Sequence, residues 1–464
     1  MEGIYMKKQN LLSIGVIATV AVNAFSGMVA AADSPQITKY LLTVPQKYYV
    51  EYTGPNQQDF PKGFLTGFGS AIAFKSINKD GSIDFYGITD RGPNGDGPDY
   101  QVGTEKFSSK FFPSRQFQPQ IGLIHIKDGK AEITSIIGLK DKKGHVITGL
   151  PIEAGLIGAT NEIAINDGFT RLGYDNEGMD TEGIALDAKG NFWISDEYGP
   201  FIAQYDKHGT LLRKYAPGNG LPEIMKYRTP NRGFEGLTVA PNGLVYAEEQ
   251  SPLNIEGKSG STAQFTRIVE LDPKTGNTKM FAYPIDVETY KSPKDAKIGD
   301  IYAISNTQFL MIEQGQEKDK KPRNLIYLVD IKNATDLTGV TVDGKEPEFT
   351  ADKSKLAAAG IITAEKRLLI DLRAYGWEAE KAEGLTMLPD KKTIVVVNDN
   401  DFGMTMAVND PEHKDGKITK YVLQSDGSFT YKGKPANPSI HVVPTDESER
   451  NQHIWFIELP KALQ

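Results

Sequence analysis

Residues 181–197, TEGIALDAKGNFWISDE, decide the fold because the same arrangement recurs twice later in the chain. The copies are residues 234–249, FEGLTVAPNGLVYAEE, and residues 382–399, AEGLTMLPDKKTIVVVND. Each copy has a Glu-Gly pair, a turn, and an apolar run that ends in acids or amides. Two short apolar runs joined by a turn of Gly, Asn, Asp or Pro are typical of a β-hairpin. The sequence therefore contains a repeated hairpin.

Weaker copies and additional strands extend this repeat. Weaker copies of the hairpin begin at Gly69 and Gly299. A third strand with the pattern apolar-apolar-x-apolar-Asp follows several hairpins, at residues 201–206, 267–272 and 325–330, with a similar strand at 455–459. Fourth strands fit residues 211–215, 278–283 and 367–372. Repeated four-stranded units predict an all-β fold, a β-propeller.

The number of units and the closure of the ring follow from the spacing. Five units are readable, beginning near residues 69, 181, 234, 299 and 382, and the glycine-rich residues 140–180 leave room for a sixth. The last unit lacks a fourth strand, so residues 37–44 are predicted to supply it and remove the free sheet edge. Residues 417–431 are predicted to be a hairpin inserted in that unit. The alternative is a β-sandwich or two β domains, which would not need to repeat one acid at the same hairpin position.

Acidic side chains concentrate at equivalent positions of the repeat. The first strand of a propeller blade lines the channel and the second runs antiparallel to it. The start of the first and the end of the second therefore lie at the same channel mouth. The first-strand acids are Glu182, Glu235, Asp300 and Glu383. The second-strand residues are Asp90, Asp196, Glu197, Glu248, Glu249, Glu313, Asn398 and Asp399.

Such a ring of carboxylates predicts either raised pKa values or bound cations. The chain has no cysteine and six histidines, so the ligands would be hard oxygens, which favour Ca²⁺, with Mg²⁺ and Mn²⁺ as alternatives. The predicted metal ligands are Asp90, Glu182, Asp196, Glu197, Glu235, Glu249, Asp300, Glu313, Glu383, Asn398 and Asp399. The alternative is that these acids pair with Arg and Lys of neighbouring loops or face solvent.

Four residues are predicted to be catalytic: Arg91, Glu182, Glu235 and Glu383. Arg91 belongs to residues 90–97, DRGPNGDG, and a guanidinium among acids can clamp an oxyanion. One of the three glutamates would act as the base. Arg171 and Arg232 are lesser candidates for the clamp. Alternatively, each arginine only pairs with the acids of the ring.

Several of these motifs together resemble a known family over residues 67–403. They are residues 90–94, DRGPN, 180–183, DTEG, 195–200, SDEYGP, 234–237, FEGL, and 382–385, AEGL. They are similar to the phytase-like family, described as "esterase-like activity of phytase". The resemblance implies an exported β-propeller and, by analogy with calcium-dependent propeller phytases, phosphoester hydrolysis. The phosphate site of those phytases contains more lysines and arginines than can be assigned to the site from this sequence. The Glu-Gly pattern also resembles gluconolactonase-type propellers, which hold one divalent ion in the channel.

Three functions are therefore considered. The first is a divalent-metal-dependent hydrolase of phosphoesters, in which cations screen the acids and activate a water. The second keeps the metal and takes a lactone or carboxylic ester as substrate. The third is a non-catalytic binding propeller stabilised by calcium.

Composition and the N-terminal sequence limit the possible partners. The 464 residues carry a net charge of −8, which argues against nucleic acid and anionic membranes, and zero cysteines exclude disulfides and thiolate sites. Lys7 and Lys8 precede an apolar stretch that ends in small residues, so residues 1–32 are predicted to be a signal peptide and 33–464 the propeller domain. The alternative is a retained membrane anchor. We expect an exported monomer, periplasmic or secreted, that is not inserted in a membrane after cleavage and acts on a small ester or phosphoester.

Overall fold

The computed structural model describes residues 34–414 and 416–463. The predicted signal peptide, residues 1–32, lies outside the described residues. Within the described part, five antiparallel sheets of four strands surround a central channel, and they are numbered here blades 1 to 5. Strand content dominates because the sequence alternates short apolar, β-branched and aromatic runs with tight turns.

The blades have the following strands. Blade 1 consists of Ala71–Ile77, Ile83–Ile88, Gln120–Lys127 and Lys130–Gly138. Blade 2 consists of Thr181–Leu186, Phe192–Asp196, Phe201–Tyr205 and Leu211–Pro217, with the short Gly220–Leu221 at its edge. Blade 3 consists of Phe234–Val239, Val245–Glu249, Phe265–Leu271 and Thr278–Pro284. Blade 4 consists of Ala296–Ala303, Gln308–Gln316, Pro322–Asp330 and Glu365–Asp371. Blade 5 consists of Gly384–Met387, Thr393–Val397, His453–Glu458 and Gln36–Thr43.

The first strands of the blades form the inner ring. Each one contacts the first strands of both neighbouring blades, in the order 1, 2, 3, 4, 5 and back to 1. Within each blade the four main strands pair antiparallel in sequence order, with the exception of blade 5. This arrangement is a β-propeller, so the predicted fold class is confirmed.

Blade 5 combines strands from both ends of the described chain. Gln36–Thr43 pairs antiparallel with His453–Glu458, so the closing strand predicted at residues 37–44 is present. The same strand also pairs in parallel with blade 1, where Leu42 lies opposite Ala131. Blades 5 and 1 consequently form one continuous sheet of eight strands. Backbone hydrogen bonds, as well as packing, close the ring.

A separate hydrophobic core fills each of the five interfaces between blades. Successive side chains of a strand point to opposite faces, so each strand serves two interfaces. In blade 5, Val395 packs in the core shared with blade 1, while Val396 packs in the core shared with blade 4. This explains why the strand sequences are apolar throughout rather than alternating with polar residues.

Three smaller sheets and two short α-helices lie outside the blades in the described part of the chain. The sheets are formed by Gly95–Asp96, Ser109–Phe111 and Ile163–Ile165; by Asp99–Val102, Glu105–Phe107, Tyr421–Leu423, Phe429–Tyr431 and Lys434–Ala436; and by Met404–Asn409 with Ser439–Pro444. The helices are Lys353–Ala358 and Glu447–Arg450.

The predicted hairpin at 417–431 is present in the second of these sheets. Residues 140–180 hold only the strand Ile163–Ile165, so no four-stranded unit forms there. None of the described helices is both long and apolar enough to cross a bilayer.

Candidate active site

Two glutamates of the Glu-Gly pairs, Glu182 and Glu235, lie at irregularities of the inner strands. In blade 2 the pairing of the first two strands shifts between Thr181 and Gly183, and in blade 3 between Phe234 and Leu237. A bulge of this kind bends the strand and redirects the side chain at the extra residue. Glu182 occupies that position in blade 2, and it lines the cavity at the channel mouth.

The glycines of these pairs permit close contact between blades. A Cβ atom added to any of them would collide with the inner strand of the next blade. The distances from that Cβ position are 2.7 Å from Gly183 to the Leu237 nitrogen, 2.6 Å from Gly236 to the Asp300 Cα, and 3.0 Å from Gly384 to the Ile72 nitrogen. The Glu-Gly repeat therefore combines an acid for the channel with a glycine that lets neighbouring inner strands touch.

A cavity of about 200 Å³ lies where these acids converge. Every one of its lining residues is charged or carries an amide, so the cavity offers no apolar side chain. Its acids are Asp90, Glu182, Glu197, Glu235, Glu383, Asp399 and Asp401. Its cations are Arg91, Lys110, Arg232, Lys297 and Lys381, and its amides are Asn94, Asn231 and Gln250. The cavity suits a small, highly polar ligand.

Glu182, Glu235 and Glu383 form the centre of this cavity. They come from blades 2, 3 and 5, are all buried, and present carboxylate oxygens within 4.8 Å of one another. Within the described part of the chain, neither Glu182 nor Glu235 has a cationic side chain within 4.0 Å. Burial, reinforced by the neighbouring carboxylates, raises the pKa of both well above the ordinary value. Burial also raises the pKa of Glu383 to about 8, although Lys381 opposes the shift.

A second group of acids shares Glu182 with the first. Asp180, Glu182 and Glu197 also present oxygens within 4.8 Å of one another. Burial and the charge of Asp180 raise the pKa of Glu197 to about 7. Gln250 links the two groups, because its amide donates to Glu197 Oε1 at 2.8 Å and to Glu235 Oε2 at 2.6 Å.

Arg91 is held rigidly beside these acids. Its Nη2 lies 3.0 Å from Asp180 Oδ2, and its Nη1 donates to the side-chain oxygen of Asn231 at 2.8 Å. The guanidinium also lies over the Tyr198 ring, 5.6 Å from its centroid. The Nε of Arg91 is buried and has no hydrogen-bond partner within the described residues. Arg91 lines the cavity, and Asp180 and Asn231 engage only part of its five N–H donors, so the guanidinium keeps donors for a ligand.

The opposite side of the cavity is built by blades 1 and 5. Asp90 accepts a hydrogen bond from the Gly92 nitrogen at 2.7 Å, and burial together with the Asp399 charge raises its pKa well above the ordinary value. Lys381 donates to Asp399 at 2.8 Å and to Asp401 at 2.9 Å. This side of the cavity therefore contains its own cation.

Five of the predicted metal ligands do not line the cavity: Asp196, Glu249, Asp300, Glu313 and Asn398. Asp196 accepts from the nitrogens of Asp180 and Gly199, and Asp300 accepts from those of Ile301 and Leu385, so both hold backbone in place. Asn398 accepts from the His453 nitrogen at 2.6 Å.

Glu249 and Glu313 are buried away from the cavity in different surroundings. Neither carboxylate oxygen of Glu249 has a hydrogen-bond partner within the described residues, and burial raises its pKa. Glu313 accepts from Lys366 Nζ at 2.7 Å and from Tyr283 at 2.9 Å. Acids at equivalent strand ends therefore differ in their surroundings. Even the neighbours Asp196 and Glu197 differ, because Asp196 holds backbone whereas Glu197 lines the cavity.

Five lining residues were not singled out in the sequence: Lys110, Asn231, Gln250, Lys297 and Lys381, while Arg232 was a lesser candidate. A usable signal exists for two of them. Lys297 precedes Asp300 by three residues, as Arg232 precedes Glu235, and Lys381 precedes Glu383 by two. Charged residues just before the inner-strand acid therefore mark the cavity wall.

Comparisons with known proteins agree with the motifs. The family model "Phytase-like: Esterase-like activity of phytase" matches residues 65–402. An uncharacterized secreted protein of Arthroderma benhamiae is 27% identical over 309 residues, covering 54% of this chain and 59% of that protein, so this chain spans less than two thirds of its relative.

The solved structures that match this chain are distant from it in sequence. A putative oxidoreductase (glucose dehydrogenase) of Thermus thermophilus is 10% identical, covering 85% of this chain and 97% of the other, with a TM-score of 0.30. Virginiamycin B lyase of Staphylococcus aureus is 10% identical, covering 78% and 95%, with a TM-score of 0.29. At these identities the chemistry of the site must be argued from its own residues.

Proposed function

This chain belongs to the phytase-like family, and we propose that it is an exported hydrolase of phosphate esters that depends on a divalent cation. The observation that carries the proposal is the convergence of Glu182, Glu235 and Glu383 from three blades, with oxygens within 4.8 Å of one another. Export is supported by the basic and apolar N-terminal sequence and by the name of the secreted relative.

The donor set fits a divalent cation. The three glutamates offer only hard oxygen ligands, which suit Ca²⁺ and also Mg²⁺ or Mn²⁺. Buried carboxylates this close together are stable as anions only with a counter-charge, and Glu182 and Glu235 have no cationic side chain within 4.0 Å in the described part of the chain. Glu182, Glu235 and Glu383 would hold the cation, with Glu197 and Asp180 beside them. Asp90 and Asp399 of the same cavity are the outer candidates.

A bound cation would screen the acids and polarise the ester. The chain itself supplies the remaining functions. Arg91, fixed by Asp180 and Asn231, would donate its remaining guanidinium N–H groups to an anionic oxygen of the substrate. One carboxylate of the central group would take the proton of the attacking water, and a raised pKa suits that transfer near neutral pH.

The lining favours a phosphoester over a lactone or carboxylic ester. Five cationic side chains surround the cavity, more than sequence reasoning could place, and no apolar side chain lines it. A neutral ester with an alkyl group would find no hydrophobic contact there, whereas an anionic phosphoryl group would meet these five cations once a bound divalent ion offsets the seven acids.

The test is release of phosphate from a panel of phosphoesters. The purified protein is stripped of metal and assayed before and after restoring Ca²⁺, Mg²⁺ or Mn²⁺, with lactones and carboxylic esters in parallel. We expect turnover of phosphoesters only with a divalent ion. Turnover of neutral esters alone would favour the lactonase alternative. Thermal stabilisation by Ca²⁺ with no turnover of any ester would favour the non-catalytic propeller.

A further inference from the structure

Lys381 occupies an unusual position for a lysine in this cavity. Its Nζ lies 2.8 Å from Asp399 Oδ2, 2.9 Å from Asp401 Oδ1 and 3.7 Å from Glu383 Oε1. Three carboxylates thus surround one positive atom. The arrangement resembles an oxygen shell around a cation, except that the cation is attached to the chain.

Glu383 connects this lysine to the central glutamates. Its carboxylate belongs to the group formed with Glu182 and Glu235, and it also faces Lys381. The two sides of the cavity therefore share one carboxylate. On one side Glu182 and Glu235 have no cationic side chain within 4.0 Å in the described part of the chain, and on the other Lys381 supplies one.

Lys381 is also exposed where a substrate would enter. Its side chain is 28% exposed and lines the central cavity. It also lines both adjoining cavities, of about 780 Å³ and about 440 Å³. Two of the ammonium hydrogens are directed to Asp399 and Asp401, which leaves the third for a ligand oxygen.

We propose that the Lys381 ammonium takes the place of a second divalent cation, neutralising Asp399, Asp401 and Glu383 and contacting an anionic oxygen of the substrate. Hydrolases with two metal ions hold them about 4 Å apart and bridge them with shared ligands. Here the shared ligand is Glu383, and the Lys381 ammonium, a single positive charge attached to the chain, fills one of the two cation positions. The contact with substrate rests on the proposed function, but the occupancy of the cation position does not.

The test is the number of Ca²⁺ ions bound per chain, measured by isothermal titration calorimetry on the metal-stripped protein. Lys381→Met removes the charge and leaves three carboxylates facing one another, so we expect one more Ca²⁺ per chain than in the unaltered protein. Lys381→Gln keeps an amide donor for Asp399 and Asp401, and it should also bind one more Ca²⁺. It replaces the methionine variant in the test if that variant does not fold. Lys381→Arg keeps the charge and should gain none.

The matched control is Lys297→Met. Lys297 lines the same cavity but has no carboxylate within 4.0 Å in the described part of the chain, so its removal should not change the number of ions. An unchanged number of ions in both Lys381→Met and Lys381→Gln would overturn the proposal, as would an equal gain in Lys297→Met.

The outcomes separate this proposal from the proposed function. If the unaltered protein binds none of Ca²⁺, Mg²⁺ and Mn²⁺ but Lys381→Met binds one Ca²⁺, the hydrolase proposal fails and the role of Lys381 stands. If the unaltered protein is an active Ca²⁺-dependent phosphoesterase, Lys381→Met should lose turnover at low Ca²⁺ and regain it as the additional ion binds. Loss that no Ca²⁺ concentration reverses would contradict the replacement of a cation by Lys381.

Discussion

The acids at the channel mouth and the acids around Glu313 in blade 4 form two charged groups within the same molecule. In blade 4, Glu313 accepts hydrogen bonds from Lys366, Tyr283 and Tyr290. Asp286, beside it, pairs with Lys366 at 2.8 Å and with Arg323. At the channel mouth, Glu182 and Glu235 have no such cationic partner within the described residues.

The position of each group within the propeller explains this difference. Glu313 lies on a second strand, and Arg323 and Lys366 reach it from the third and fourth strands of the same blade. Glu182 and Glu235 lie on first strands at the channel mouth, where the outer strands of their blades place no cation within 4.0 Å in the described part of the chain. Protons or a ligand can then neutralise them, so burial of an acid alone does not identify a site.

The largest effect on stability is expected for Lys366→Met. The substitution leaves the buried Glu313 and the half-buried Asp286 with Arg323 as their remaining shared cation, and the free energy of unfolding should fall by about 3 kcal/mol. Chemical denaturation measures this. The control is Lys127→Met, which breaks an exposed pair with Asp80 and should leave the free energy of unfolding almost unchanged. An equal fall in the free energy of unfolding in the two variants would show that the buried pairs of Lys366 stabilise the protein no more than an exposed pair.

Glu235→Gln should affect function and leave the fold intact. Removing one carboxylate from the central group weakens repulsion, so the metal-free protein should be as stable as before or more stable. We expect turnover to fall about 100-fold or more and stabilisation by Ca²⁺ to be lost. The measurements are phosphate release and thermal denaturation with and without Ca²⁺, with the exposed Glu458→Gln as control. Unchanged turnover and Ca²⁺ affinity would take Glu235 out of the site.

The two groups should give stability opposite dependences on pH. Burial raises the pKa of Glu197 to about 7 and of Glu383 to about 8, so the folded metal-free protein holds protons that the unfolded chain releases above its ordinary value of 4.5. That stability is complete below about pH 4.5 and is lost as the pH rises through 7 and 8. We expect the Tm to fall by a few degrees over this range and Ca²⁺ to reverse the fall.

Asp286 should contribute at the acidic end. Burial raises its pKa, but the hydrogen bond and charge of Lys366 outweigh burial, so its pKa lies below the ordinary 3.8. Its stabilisation is present above that value and is lost as the pH falls further. The acidic loss should be smaller in Asp286→Asn but not absent, because Asp84 and Asp96 also have a lowered pKa, while the alkaline loss should remain unchanged. A metal-free Tm that rises between pH 6 and 9 would contradict the assignment of the alkaline loss to the channel acids.

The smallest effect is expected for Arg91→Ala, because Asp180 and Asn231 already engage part of its hydrogen-bonding capacity. We expect the KM for phosphoesters to rise about 10-fold, which corresponds to about 1.4 kcal/mol, with a smaller rise for neutral esters. Arg91→Lys keeps the charge without the planar fork and tests whether the charge suffices. An equal rise in KM for both classes of ester would show that Arg91 serves only to hold Asp180 and Asn231.

The sequence predicted the propeller well because its repeat is local. Glu-Gly must recur wherever an acid faces the channel and a glycine meets the next inner strand, so Gly183, Gly236 and Gly384 marked the inner ring. The closing strand was also predictable, because the last unit lacked a fourth strand and residues 37–44 are apolar and β-branched.

The site was only partly predictable because its walls come from distant segments. Lys110 lies on a strand that is inserted in blade 1 and pairs with Ile163–Ile165. No local sequence pattern predicts that pairing. Glu313 sits near the end of a second strand, as Glu197 does, yet its partners are set by how the outer strands of blade 4 pack. Which acid is free and which is paired is a property of tertiary contacts.

Closure of the ring by Gln36–Thr43 and His453–Glu458 also governs the order of assembly. Two strands about four hundred residues apart must meet before blade 5 exists. Blade 5 cannot be complete until Glu458 has joined the folding chain. Since Glu383 belongs to that blade, the acidic pocket is not complete before the two ends of the described chain have met.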